Sequence, residues 1–540
     1  KGVSIDIDSL CSHTFIAGST GKGKSNTICK LIEKVCTRKK TGFSFLVVEP
    51  AKGEYKDAFY NHPEISVDVY GTNPKKTELL RINPFEFPEE IHVLEHIDRL
   101  TEMFNACWPM YAAMPAILKN AIIKAYESCG WDLVNSICDE KEYPSFSDVL
   151  LQINEILESS AFSEDNKGDY TGALCTRVES LTTGLNGMIF TSVDTCTAEQ
   201  LFCKNVIIDL SRIGSPETKS LIMSMLVMKL QEYRMSENKG VNLPLRHLTI
   251  LEEAHNILKK TSQEQGAEIS NVQGKAVETL SNAIAEMRTY GEGFIIVDKA
   301  PGLLDASVIR NTNTKIIMCL PEEEDRLITG RSIGLRDNQI QELAKLEKGV
   351  AAVYQNDWQE AVLCKFEQYH KGCADVYGNY PLDRERFQYV PDQKLKSESE
   401  AKIELLKYLL SKIEKTDYRV SQKERDKLIK NLDYCHFNIE QRRLLTKYLD
   451  SEPPKTIDEA SSIVAMLYDA GKIFDNCTAT SIEEWNRQIL NKLDTNLNQM
   501  EQQYRIWMIQ CLLLELSRKV PAVQEYASKW LYYTERKDVR

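Results

Sequence analysis

Eight residues, Gly18-Ser19-Thr20-Gly21-Lys22-Gly23-Lys24-Ser25, follow the spacing G-x-x-x-x-G-K-[ST], the phosphate-binding P-loop. Glycines let the backbone approach a phosphate closely. In this pattern Lys24 reaches the β/γ-phosphates and the Ser25 hydroxyl ligates Mg²⁺. Asn26 follows directly and is counted with the nucleotide-binding residues. The flanks suit the motif. Thr14-Phe15-Ile16-Ala17 is a short apolar run fit for a buried strand, and Ile28, Leu31, Ile32 and Val35 recur on one helical face. Strand, glycine loop and helix aim backbone N–H groups and a helix N-terminus at phosphate. ATP with Mg²⁺ is the expected ligand.

A P-loop needs acids at the end of a neighbouring strand, where sites of α/β sheets lie. Leu248-Thr249-Ile250-Leu251-Glu252-Glu253 supplies them. Glu252 is expected to hold Mg²⁺ through water, and Glu253 to act as general base on the attacking water. His255 either senses the phosphate state or caps local packing. Transition-state charge on the γ-phosphate calls for an arginine. Arg288, Arg310 and Arg331 are the candidates, each also readable as a surface arginine. Lys299, at the end of the run GFIIVDK, stands where a γ-phosphate sensor is expected, and is also readable as a surface lysine.

The elements that must position these residues are those of an α/β fold with a mainly parallel sheet. Strands are expected at Phe43–Val48, Asn205–Leu210, His247–Leu251, Gly293–Val297 and Lys315–Leu320, with helical segments between them. A hairpin, Val350–Tyr354 with Ala361–Phe366, turns at Gln355-Asn356-Asp357. Glu217–Tyr233 reads as an amphipathic helix and the polar stretch Lys259–Lys275 as a mobile loop. From about Pro381 onward the chain reads as helices only, including Glu400–Glu414, Lys423–Asn431 and Gln502–Arg518, with a turn at Glu452-Pro453-Pro454. The expected organisation is a core over 1–83 and 198–380, a helical insertion over 84–197, and an α-helical region over 381–540.

The 540 residues suffice for two or more domains, and the net charge of −12 offers no global basic surface for nucleic acid. A local basic pore or loop remains compatible with it. Fifteen scattered cysteines without C-x-x-C spacing give no support to a zinc or redox motif, and suit a reducing cytoplasm. The apolar stretch Trp108–Ile123 is interrupted by Lys119 and is too short to span a bilayer. No membrane association or signal peptide is expected. The chain starts at Lys1 and almost at once enters the first core strand, so a further N-terminal segment is expected.

With these residues in place, the chain resembles the HerA family of hexameric DNA-translocating ATPases, within the FtsK/HerA group. The carriers are FIAGSTGKGKSNT (15–27), VVEPAKGEY (47–55), INPFEF (82–87), ILEEAHNIL (250–258), EMRTYGEGFIIVDKAP (286–301), VIRNTNTKI (308–316), LPEEEDRLITGRSIGL (320–335) and GVAAVYQNDWQEAVL (349–363). The resemblance covers roughly residues 5–370. It implies a RecA-like core with an inserted helical bundle, a homo-hexameric ring around double-stranded DNA, Glu253 as catalytic glutamate and Arg288 as a finger acting in trans. Three departures stand out: Lys299 where the family commonly has glutamine, Glu-Glu where Asp-Glu is more usual, and no N-terminal β-barrel. Lys259, Lys260 and Lys275 are the nearest candidates for DNA contact.

Two classes of function follow. One is a motor that drives DNA through a ring and serves a partner nuclease or sirtuin-like effector, as in anti-phage defence. The other is a nucleotide-regulated scaffold that organises an effector. A secretion or conjugation ATPase shares the same core.

Overall fold

The computed structural model describes residues 2–39, 42–59, 62–139, 142–190, 195–237, 240–260, 267–369 and 398–414, and parts of 428–450, 456–468 and 502–519. The chain forms two compact units. One comprises 1–141, 149–180 and 194–391; the other comprises 142–148, 181–193 and 392–540.

The first unit is built on a ten-stranded sheet. Its strands are β1 (Thr14–Ala17), β2 (Ser44–Glu49), β3 (Asp68–Gly71), β4 (Glu78–Leu79), β5 (Val206–Asp209), β6 (His247–Leu251), β7 (Glu292–Asp298), β8 (Thr314–Ile317), β9 (Val350–Gln355) and β10 (Val362–Lys365). Their order is β10-β9-β8-β1-β7-β6-β2-β5-β3-β4. Neighbours from β8 to β4 run parallel. The hairpin β9–β10 adds two antiparallel strands at one edge. The six central parallel strands β1, β2, β5, β6, β7 and β8 are buried at every position. That burial explains their continuous apolar runs, since a parallel sheet is covered on both faces.

Register aligns the strand ends that matter. Ala17 pairs with Asp298 and Ile317, Val48 with Leu251, and Glu49 with Asp209. The loops after β1, β2, β6 and β7 therefore emerge side by side at one edge of the sheet.

Helix α1 (Lys24–Lys39) lays Ile28, Ile32 and Val35 against Ile16, Phe45, Val47, Ile250 and Ile295. Helix α2 (Glu54–Ala58) follows β2. Between β4 and β5 come α3 (Val93–Cys107), α4 (Met114–Ser128) and α5 (Phe146–Ser159), then the short helices α6 (Glu164–Tyr170), α7 (Thr176–Thr182), α8 (Gly184–Phe190) and α9 (Ala198–Phe202). Helix α10 (Pro216–Ser236) and helix α11 (Ala267–Glu286) pack against α3. The short helices α12 (Ala306–Arg310), α13 (Glu323–Ser332) and α14 (Asp337–Glu342) surround β8 in sequence.

Two expectations change. Leu221 to Met228 of α10 are all buried, so this helix is covered on every side instead of amphipathic. α3 lies over it, and Glu232 of α10 accepts a 2.9 Å bond from buried His96 of α3. The stretch read as a mobile loop over 259–275 is helical from Ala267, and Ala276 and Val277 are buried. Residues 261–266 lie outside the described residues.

The second unit is helical where described: Glu398–Glu414, Ile439–Asp450, Ile457–Leu467 and Gln502–Lys519. Leu405, Leu409, Leu445, Ile463, Val464 and Leu512 share one apolar core. The Thr456 hydroxyl accepts the Glu459 N–H and caps the third of these helices. The turn expected at Glu452-Pro453-Pro454 lies outside the described residues, as does most of the helix expected at Lys423–Asn431.

Candidate active site

The P-loop leaves β1 at Ala17 and is fastened to both neighbouring strands. The Gly18 N–H donates to Asp298 O (3.3 Å), the last residue of β1's partner β7, and the Ser19 N–H to Cys319 O (2.9 Å) beyond β8. The Ser19 hydroxyl also donates to Cys319 O (3.1 Å). A Cβ on Gly18 would lie 2.7 Å from the Met318 Cβ, so only glycine allows this approach. The hairpin contributes too: the Gly349 N–H donates to Lys22 O (2.9 Å), and Lys22 Nζ to Leu346 O (3.4 Å). Gly21 and Gly23 turn the loop at φ +79° and +111°, and α1 starts at Lys24 with no acid in its first turn. An uncompensated helix N-terminus beneath a glycine loop fits a polyphosphate.

Lys24 Nζ donates to the carbonyls of Gly18 and Ser19, the latter at 3.3 Å. Burial holds its pKa below the usual lysine value, while Glu252 pulls it up. A cavity of about 240 Å³ lies beside it, lined among others by Thr20, Ser25, Glu252 and Glu253, and by the lysines 24, 52, 299 and 348. Asn26 borders the cavity, but its side chain is engaged elsewhere: Nδ2 donates to Glu367 O (2.9 Å) and Oδ1 accepts the Tyr369 N–H (2.7 Å).

The acidic pair follows β6. The Tyr55 hydroxyl donates to Glu252 Oε1, and the Glu252 N–H donates to Val48 O (3.2 Å). Burial pushes the Glu252 carboxyl up, against the Tyr55 hydrogen bond and the charge of Lys24. Glu253 has left-handed backbone geometry, φ +47° and ψ +51°. Its carbonyl accepts the Asn256 N–H (3.0 Å) and Asn256 Nδ2 (2.7 Å). Lys299 Nζ lies 2.9 Å from Glu253 Oε1, so the residue expected as a phosphate sensor meets the expected base. His255 is bound to the end of β7: its N–H and Nδ1 each lie 2.9 Å from Asp298 Oδ2.

One acid of the site was not foreseen. Glu49 ends β2, and its two carboxylate oxygens accept the N–H groups of Glu54 (2.7 Å) and Tyr55 (3.2 Å), capping α2. Burial pushes its pKa up to about 7, against those two bonds. The turn between passes through Lys52 (φ +67°) and Gly53 (φ +69°). A Cβ on Gly53 would press within 3.1–3.3 Å of Asp209, Lys56 and Ser211. Burial opposes ionisation of Asp209, yet the Lys56 and Ser211 bonds hold its pKa below the usual value. The run VVEPAKGEY carried the signal: an acid at a strand end, then a glycine-containing turn.

The arginines are not part of this cavity. Arg288 sits in the turn Met287–Tyr290 that enters β7, whereas Asp298 and Lys299 leave it. Seven strand residues at about 3.3 Å each separate them by roughly 20 Å. Arg310 ends α12, likewise ahead of β8. Arg288, Arg310 and Arg331 are exposed, as are Lys259, Lys260 and Lys275. Among the described residues no cluster of three or more His, Cys, Asp or Glu side chains could hold a metal. None of the described cysteines is disulfide-bonded, and no described helix is long and apolar enough to cross a membrane.

Residues 1–230 match the family model described as the central domain of helicase HerA. The DNA double-strand break repair helicase HerA of Saccharolobus solfataricus is 24% identical over 361 residues, 65% of this chain and 63% of that protein. The protein of the same description from Sulfurisphaera tokodaii is 23% identical over 374 residues, 68% of this chain and 67% of its own. The chain thus spans less than two thirds of the Saccharolobus relative. Among solved structures, VirB4 of Thermoanaerobacter pseudethanolicus shares the fold, with TM-score 0.50 and 14% identity over 67% of this chain and 91% of that one. The P-loop and the parallel sheet agree with these matches, and residues 1–230 are similar to the central domain of helicase HerA.

Proposed function

We propose that this chain is an ATP-hydrolysing motor of HerA type. It works as a homo-hexameric ring, translocates double-stranded DNA, and serves a partner nuclease or other effector in the cytoplasm, with anti-phage defence as one setting. The observation that carries the hydrolytic part is one cavity shared by the P-loop, Ser25, Glu252 and Glu253.

In this reading the loop N–H groups and Lys24 bind the β/γ-phosphates, and Lys24 exchanges its loop carbonyls for phosphate oxygens. Bound Mg²⁺ supplies charge neutralisation on the β- and γ-oxygens. Glu253 orients a water and takes its proton as the water oxygen bonds to the γ-phosphorus; the bond to the β–γ bridging oxygen breaks and ADP leaves with that electron pair. Among the described residues the cavity is lined by no arginine, and Arg288 lies at the opposite end of the strands. A neighbouring subunit that supplies Arg288 would complete the site, which is the support for a ring.

DNA as the substrate draws on the relatives, which are named as DNA double-strand break repair helicases. The exposed Lys259, Lys260 and Lys275 are the basic residues proposed to contact it. The test is ATP hydrolysis by the whole chain with and without double-stranded DNA, at several salt concentrations. Stimulation, with binding that weakens as salt rises, supports the motor. Hydrolysis indifferent to DNA, with no salt-dependent binding, supports a nucleotide-regulated scaffold for an effector.

A further inference from the structure

We infer that Lys299 is a positioning residue with two alternating partners: it holds Glu253 when the terminal phosphate is absent and moves to that phosphate when ATP binds. This rests on the proposed ATPase reading.

Three observations carry it. Lys299 Nζ lies 2.9 Å from Glu253 Oε1, and both residues line the cavity that Lys24 and Ser25 line. An ammonium bonded to Oε1 occupies one of the carboxylate's lone pairs and holds the side chain on Lys299, leaving Oε2 as the remaining acceptor. In this proposal the paired state is the resting one.

The backbones on both sides are fixed, which leaves the side chains as the moving parts. Asp298, one residue before Lys299, accepts the His255 N–H and Nδ1 through Oδ2, and the Ala300 N–H through Oδ1, each at 2.9 Å. The Glu253 carbonyl is held by two donors from Asn256, at 3.0 and 2.7 Å. Glu253 keeps a left-handed backbone that costs a non-glycine residue energy and aims its carboxyl at the cavity.

The ion pair is also exchangeable. The Lys299 side chain is 47% exposed and that of Glu253 26%, so water screens the attraction. A terminal phosphate carries more charge than one carboxylate and accepts through three oxygens, so it outcompetes Glu253 for the ammonium. Two other cavity lysines have different partners: Lys24 donates to the loop carbonyls, and Lys52 pairs with Glu54 at 3.4 Å. Glutamine at 299 could donate to either partner but could not exchange one charge attraction for another.

The test is a binding cycle on the whole chain, using a non-hydrolysable ATP analogue and ADP. The proteins are wild type and Glu253→Gln, each with native Lys299, with Lys299→Gln and with Lys299→Arg. Glu253→Gln frees Lys299, so it should tighten the analogue about two- to five-fold, the worth of a partly exposed ion pair. ADP affinity should stay within about twofold by the same reasoning. In the Lys299→Gln background the tightening should vanish, and in the Lys299→Arg background it should persist. Equal tightening with and without Lys299 overturns the inference, because it shows only the removal of a negative charge near phosphate. No tightening at all overturns it too. A wild-type protein that binds neither nucleotide overturns the ATPase reading itself, and this inference with it.

Discussion

Tyr55 and Glu252 join the ends of two adjacent parallel strands. The buried Tyr55 hydroxyl, beyond β2, donates to the Glu252 carboxylate, beyond β6. The registered pair Val48 and Leu251 brings them together. Burial raises the Tyr55 pKa well above the ordinary value, so the phenol stays a donor. Glu252 is thereby oriented toward the cavity that Ser25 lines. Tyr55→Phe should weaken Mg²⁺ dependence roughly tenfold, as loss of an outer-shell partner does. Titrating Mg²⁺ against the ATPase rate measures this. An unchanged half-maximal concentration would separate Glu252 from the metal.

Arg288 precedes β7 and Glu253 follows β6, at opposite ends of two adjacent parallel strands, so the proposed site would draw them from two subunits. Arg288→Ala and Glu253→Gln should each reduce hydrolysis on the order of 100-fold or more. Mixing the two inactive proteins should restore activity, since some interfaces would then pair a native Glu253 with a native Arg288. If the mixture stays as inactive as its components, Arg288 is not a finger acting in trans.

Glu49 makes stability depend on pH near neutrality. Its carboxyl is pushed from 4.5 up to about 7 by burial. The folded chain therefore holds this proton more tightly than the unfolded chain. That contribution is fully present below about pH 4.5 and is lost as pH rises through about 7. Glu49→Gln lacks the titration, so its stability relative to wild type should improve by up to about 3 kcal/mol between pH 5 and pH 8. Urea unfolding of both proteins at the two pH values reads the difference. A difference that stays constant, or that shifts against the variant at high pH, would contradict the raised pKa.

Much of the frame was legible in the sequence for one physical reason. Central parallel strands are covered on both faces, so runs such as HLTIL, His247–Leu251, stand out between polar turns. The two strands at the β4 edge did not stand out. Asp68–Gly71 has four residues and Glu78–Leu79 two, too few for any period to show. The first part of α11, residues 267–275, was hidden by its polar composition, and packing of this helix against α3 decides its structure more than composition does. Within the site, the P-loop and Glu252-Glu253 are local patterns. The Lys299–Glu253 pair joins residues 46 apart, and only the adjacency of β6 and β7 brings them together. Glu49 escaped notice because its partners are backbone N–H groups, which carry no sequence signature.

Glu253 is proposed to activate the attacking water in the P-loop cavity. The most direct measurement compares steady-state ATP hydrolysis by wild type and Glu253→Gln, with binding of a non-hydrolysable ATP analogue recorded for both. Wild type should turn over, while the variant should hydrolyse about 100-fold or more slowly and still bind the analogue. Equal hydrolysis by the two proteins would contradict the account.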